Sequence, residues 1–209
     1  MPTAQIVAST PHVSSAQTIA LPAPRTQGTL TLEEALVRRR SVREYTNVPL
    51  TFIEIGQLLW AAQGVTSSAG QRTAPSAGGL YPLEIYVATR DGVYHYEPAS
   101  HSMTAQIVGD KRQSVYNASL QQSAVRDAPA VFVIAAVYAR TSGKYGDRTE
   151  RYVHLEAGHA AQNLALEAVA LNLGSVTIGA FEDDQVQQVM ALPSDYKPLY
   201  VIPVGHPKQ

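Results

Sequence analysis

Four arginines and one serine crowd into Arg38-Arg39-Arg40-Ser41-Val42-Arg43, and their donors define the first chemistry this sequence can do. Guanidinium forks match phosphate oxygens two bonds at a time and a serine hydroxyl adds a neutral donor, so a phosphate monoester is a suitable partner. The same residues also read as a solvated basic helix end favoured by the helix dipole, which leaves the Ser-x-Arg continuation unexplained. A second stretch, Arg72-Thr-Ala-Pro-Ser-Ala-Gly-Gly-Leu-Tyr-Pro82, offers backbone rather than side chains. Gly78 and Gly79 remove the Cβ barrier to positive φ, and Pro75 and Pro82 stiffen the ends, so the chain can pass close to a bound molecule; a tight surface turn is the alternative. Lys144-Tyr145, flanked by Gly143 and Gly146, reads as part of a loop over 140–147. It can serve in proton transfer if burial lowers a pKa there, while a solvent-facing pair is the plainer reading.

Other chemistries find no support. Neither a Walker A pattern nor a Gly-x-Gly-x-x-Gly turn is present, and Ser76 lies outside a Gly-x-Ser-x-Gly elbow. His154 and His159 fall on different helical faces and Glu156 does not complete a His-Glu-x-x-His motif, so no metal site is expected and His159 reads as a buried core histidine. The absence of cysteine rules out disulfides and thiolate nucleophiles and fits a reducing, cytoplasmic compartment. A formal net charge of −1 exerts no global pull toward nucleic acid or anionic membrane. The first residues lack the basic and apolar regions of a signal peptide, and the longest apolar run, 128–137, is too short to span a bilayer.

These groups need a scaffold, and 209 residues with 45% hydrophobic content suit one domain. Residues 1–27 read as an extended or partly disordered arm, and 28–209 as the domain. Capping boxes at Thr31-Leu-Glu-Glu34 and Thr51-Phe-Ile-Glu54 predict helices to about Arg40 and to Gly64. Strands are expected over 83–89, 130–137, 175–178 and 199–204, with a hairpin pairing 93–96 to 103–108. Asp110 is expected to cap a helix through Ala124, and Asp183 a short one to Leu192. The longest helical pattern, 150–173, carries apolar or small residues on most faces and reads as buried nearly all round. Helices and strands in irregular order around an antiparallel hairpin make the fold class α+β.

In combination the segments resemble the FMN-dependent nitroreductase superfamily, and within it the SagB-type dehydrogenases, which include oxidases of azoline rings in modified peptides. The resemblance runs from about Leu21 to Pro207 and is carried by Arg39-Arg40-Ser41-Val42-Arg43-Glu44-Tyr45, Leu58-Leu59-Trp60-Ala61-Ala62-Gln63-Gly64, the stretch from Arg72 to Pro82, Lys144-Tyr145-Gly146, Glu156-Ala-Gly-His-Ala-Ala-Gln-Asn163, Ile178-Gly-Ala-Phe181 and Pro203-Val-Gly-His-Pro207. It implies a central, mostly antiparallel sheet surrounded by helices in an interlocked homodimer, with FMN at the subunit interface. Arg39, Arg40, Ser41 and Arg43 would hold the phosphate, with Lys208 the only cationic candidate near the place where many members put a further basic residue. Pro75, Ser76, Ala77, Gly78, Gly79 and Leu80 would face the flavin ring, from the other subunit. Ile178, Gly179 and Ala180 would approach its reactive nitrogen, and Gln122 would hydrogen-bond the ring or the substrate. As in the azoline oxidases of this branch, Lys144 and Tyr145 would assist removal of a substrate proton while hydride goes to the flavin, the electrons then passing to a second partner in ping-pong order; NADH or NADPH is a candidate electron donor where the flavin is reduced first. A flavin-binding module without turnover, an azoline oxidase within a peptide-modification complex, and a cofactor-free structural dimer are the alternatives.

Overall fold

The computed structural model describes residues 17–208, so residues 1–16 of the expected arm lie outside the described residues. Within the remainder of the arm, β1 (Thr18–Ala20) pairs antiparallel with β4 (Ser102–Val108) and Leu21 is buried. Both capping boxes form. The Thr31 hydroxyl accepts the Glu34 amide at 3.2 Å while the Glu34 carboxylate accepts the Thr31 amide at 3.0 Å, starting α1 (Leu32–Arg38). Thr51 and Glu54 repeat the arrangement at the head of α2 (Phe52–Gln63), which stops at Gly64.

The sheet runs in the order β1-β4-β3-β2-β5-β7-β6, with every neighbouring pair antiparallel. Its remaining strands are β2 (Leu83–Ala88), β3 (Gly92–Glu97), β5 (Ala130–Ala136), β6 (Gly174–Ser175) and β7 (Lys197–Gly205). Side chains alternate across it, so Leu83, Ile85 and Val87 face α2 and α6 (Thr149–Ala170), while Tyr86 and Ala88 face α3 (Arg112–Ala118), α4 (Ser123–Asp127) and α7 (Asp183–Val189). Helices on both faces explain why β2 and β5 are buried along their whole length, β5 as an unbroken apolar run and β2 with Glu84 as its one charged residue. The fold class is the α+β expected from the sequence, a central antiparallel sheet with helices on both faces.

Several local expectations change. The helix expected over 110–124 is two short ones, α3 and α4, with Leu120 and Gln121 both at φ 54° between them. The Ala118 carbonyl, which another α-turn would need, instead accepts the Glu182 amide at 2.9 Å. The loop expected over 140–147 is helix α5 (Ala139–Tyr145) followed by a single 3₁₀ turn, because buried Thr141 and the Arg140 contacts to Tyr81 and Glu84 hold a glycine-containing segment in helical form. The long helix is buried along one stripe, Val153, Ala157, Ala160, Leu164 and Ala168, leaving Leu155 and His159 exposed on the other side. His159 is therefore a surface residue. Finally, Glu182 rather than Asp183 stands at the N-cap of α7, without a side-chain cap, and only Gly174–Ser175 of the strand expected to reach 178 is continuous. Ile178 rejoins the sheet as an isolated bridge to Val201. Among the described residues no helix is long and apolar enough to cross a membrane, and no group of His, Asp and Glu could hold a metal ion.

Candidate functional site

The arginine cluster begins where α1 ends. Arg39 is the C-cap residue, and the Arg40 guanidinium turns back to donate to the Val37 and Arg39 carbonyls at 2.8 Å. Beyond it the chain becomes extended: Ser41 bridges Ser175 and the Val42 amide donates to the Ser175 carbonyl at 3.0 Å. Tyr45 anchors the stretch from below, fully buried, its hydroxyl directed at the Val42 and Pro203 carbonyls. Burial pushes that hydroxyl's pKa upward, so it stays a neutral donor. Arg38 pairs with Glu34, whereas Arg39, Arg40 and Arg43 have no carboxylate within ion-pair distance among the described residues. The chain's end joins them, since the Lys208 amide donates to the Glu44 carbonyl at 3.1 Å. A largely exposed cluster of cations facing no anion of its own is chemically able to take an external one.

From Ser175 the chain continues along the edge of β7 to Ile178, whose amide and carbonyl exchange bonds with Val201 at 2.9 and 3.0 Å. Ile178 is buried and the next two residues are exposed. Among the described residues the Gly179 and Ala180 amides donate to no acceptor, and a Cβ on Gly179 would meet nothing within 4 Å. Gln122 holds this segment in place: its Nε2 donates to the Ala180 carbonyl at 2.8 Å and to the Ser119 carbonyl at 3.0 Å. At about 3.3 Å per extended residue, Gly179 lies roughly 13 Å from Ser175 and the Ser41 it bridges.

The loop at 75–80 belongs to a different part of the chain's surface. Its 3₁₀ turn, Ala77–Gly79, carries Gly78 and Gly79 at φ 66° and 65°, and Tyr81 follows at φ 47°. The Ser76 hydroxyl oxygen accepts the Tyr81 amide at 2.9 Å and closes the turn, while the Ala77 and Gly78 amides have no acceptor among the described residues. Against Gly78 stand Lys144 Nζ and the Tyr145 hydroxyl, each 2.9 Å from where a Cβ would be. The Tyr145 ring rests edge-on against Tyr152 with centroids 4.7 Å apart. Two residues that the sequence leaves 65 positions away are thus neighbours of the glycine turn. Gly78→Ala and Gly79→Ala should share a conformational cost of about 1–2 kcal/mol for left-handed backbone. Only Gly78→Ala should also displace Lys144 and Tyr145, so its melting temperature should fall further, each kcal/mol giving about 2–4 °C.

Sequence reasoning missed the polar frame behind this loop. Arg140 donates to the Tyr81 carbonyl at 3.1 Å and pairs with Glu84, which also bonds His95 at 2.6 Å. Burial would raise the Glu84 carboxyl, but the His95 hydrogen bond and the Arg140 charge hold it below the usual range. Arg72 stacks on the Tyr81 ring at 4.6 Å and donates to Gln63 Oε1 at 3.0 Å. A carboxylate inside the apolar run 83–88 was the available signal.

The register of the sheet separates the two groups. Ser41 is aligned through Ser175 and Val204 with Ala130, beyond the C-terminal end of β2, whereas the loop precedes its first residue, Leu83. Six residues along β2 and four strand spacings across the sheet put them at least about 25 Å apart.

The nitroreductase family model matches residues 36–206. A Methanocaldococcus jannaschii protein, provisionally named nitroreductase MJ1384, is 47% identical over 180 residues, which are 83% of this chain and 90% of that protein. The crystal structure of a Ralstonia eutropha JMP134 protein, provisionally named a nitroreductase, matches with a TM-score of 0.84 at 32% identity, covering 92% of this chain and 90% of that one. A Desulfovibrio desulfuricans protein of the same provisional name, solved in complex with FMN, shares the fold with a TM-score of 0.64 at 23% identity over 85% of this chain and 87% of that one. With the family model spanning most of its length and a close relative covering nearly all of that relative's sequence, this chain belongs to the nitroreductase family.

Proposed function

We propose that this protein is an FMN-dependent oxidoreductase of the SagB type whose active site is completed by a second copy of the chain. The observation that carries the reading is the edge of β7. It offers cations without counter-ions at one end and free Gly179 and Ala180 amides at the other, about 13 Å apart. The donor set fits the group: Arg39, Ser41, Arg43 and Lys208 suit a phosphate, and free amides over an open glycine suit the electron-rich edge of a flavin ring. Residues 75–80 lie about 25 Å from Ser41 in the same chain, and they are assigned to the site of a partner, as the family resemblance implies.

FMN, when bound, supplies the acceptor and donor of hydride at its N5. The chain's own residues do the rest. The wall at 75–80 presents backbone to the ring, and the contact of Gly78 with Lys144 and Tyr145 means that wall and acid–base pair arrive together from one subunit. Lys144 or Tyr145 takes a proton from the substrate as its hydride leaves, a two-electron oxidation of a small or peptide-borne heterocycle. In that direction an electron acceptor would take the two electrons back from the flavin and close the ping-pong cycle; with NADH or NADPH as the donor the flow would reverse, the nicotinamide reducing the flavin and the substrate accepting the hydride. Reconstitution with FMN followed by anaerobic mixing with donor or substrate tests the proposal: the visible flavin band should appear and then bleach. A protein that takes up no FMN would rule the reading out. A bound flavin that no donor reduces would make the chain a flavin-binding module instead.

A further inference from the structure

Behind the wall, α6 turns one carboxyl inward. Glu156 is 3% exposed, and its Oε1 is buried without a hydrogen-bond partner. Gln63, at the end of α2, has the complementary deficiency: Oε1 accepts from Arg72, but Nε2 is buried and unpaired. Five side-chain atoms are orphaned in this way among the described residues, and these two belong to neighbouring groups, a donor and an acceptor that could satisfy one another. Ser76 completes the group. Its oxygen already accepts the Tyr81 amide, which leaves its proton free to be given away. Ser76, Arg72 and Gln63 all stand near enough to pull on the Glu156 ionisation, although none meets the geometry of a formed hydrogen bond to it.

We propose that Glu156 is a positioning residue for the wall: its carboxyl bridges Gln63 of α2 to Ser76 of the loop, fixing the 76–81 turn and, through Gly78, the places of Lys144 and Tyr145. The bridge is a statement about this chain alone; only its consequence for catalysis rests on the flavin reading above. The groups facing the carboxyl are Arg72 and Ser76 from the loop and Gln63 from α2, with Glu84 of β2 and Arg140 of α5 acting on Arg72 from behind.

Burial raises the Glu156 carboxyl to about 7, against the opposing pulls of Ser76, Arg72 and Gln63. Opening the loop would hydrate it and return it toward an ordinary carboxylate. The closed loop therefore binds the proton more tightly, so its advantage is full below the ordinary carboxylate range and is lost as pH rises through about 7.

Amide hydrogen exchange on the full-length chain, as purified and again with saturating FMN, reads this directly at Tyr81 and Gly79. After correction for intrinsic exchange, wild-type protection there should fall about tenfold or more between pH 5 and pH 8. Glu156→Gln keeps a neutral bridge and should stay protected at both pH values. Glu156→Met fills the space without bridging and should lose protection at both. A wild-type loop indifferent to pH, or a methionine variant as well protected as the glutamine one, would overturn the proposal. Failure of the flavin reading would show separately, as no FMN uptake by any variant with the exchange pattern intact.

Discussion

Lys144→Ala is expected to slow turnover by about 10²- to 10⁴-fold, the usual contribution of a positioned acid or base, while FMN remains bound. The expectation rests on proximity: Lys144 Nζ and the Tyr145 hydroxyl meet at Gly78, the tightest point of the wall proposed to face the ring. Tyr145→Phe should show a similar loss with less disturbance, because the ring keeps its packing against Tyr152 when only the hydroxyl is removed. If either group transfers the proton, its variant should also lose the corresponding limb of the pH–rate profile. Steady-state rates on several substrates, beside the visible spectrum of each variant, check both points. Wild-type turnover by Lys144→Ala across all of them would reduce the pair to pocket lining.

Removing Arg39 and Arg43 together is expected to abolish FMN retention through purification. Each charge-assisted contact to a phosphate contributes about 1.5–3 kcal/mol, so each single alanine variant should bind roughly 10- to 150-fold more weakly. The double variant should lose more, though less than the product, since neighbouring groups that share one phosphate do not add. Arg40→Ala should behave differently. Its guanidinium already closes the end of α1 on the Val37 and Arg39 carbonyls, so part of its loss should appear as helix fraying. Titration of FMN by fluorescence, repeated at raised ionic strength, separates the cases, because exposed charges lose their pull as salt shortens the screening length. Unchanged affinity in both single variants would contradict the assignment.

The two variant sets probe opposite ends of the proposed site, and they also divide what sequence shows from what folding adds. Thr31 and Thr51 announce their helices because a capping box is complete within four residues. The strand at 130–136 announces itself because burial on both faces leaves only apolar residues. The guanidinium cluster is legible for the same reason: its members are neighbours in the chain, so their chemistry needs no fold to be recognised.

Where a distant partner decides the local conformation, the pattern misleads. The Ala118 carbonyl is claimed by Glu182, and one expected helix breaks into α3 and α4. Arg140 is claimed by Glu84 and Tyr81, and a glycine-bearing loop becomes α5.

By itself, then, the sequence determined most of the elements, the α+β class and the run of guanidinium donors at 38–43, because capping, periodicity and charge density act over a few residues. Only the tertiary structure decided that Gly78 meets Lys144 and Tyr145, that Glu156 lies beneath Ser76, and that this assembly stands about 25 Å from Ser41. Those relations depend on strand register across four spacings of one sheet, a quantity that no local pattern in the chain encodes.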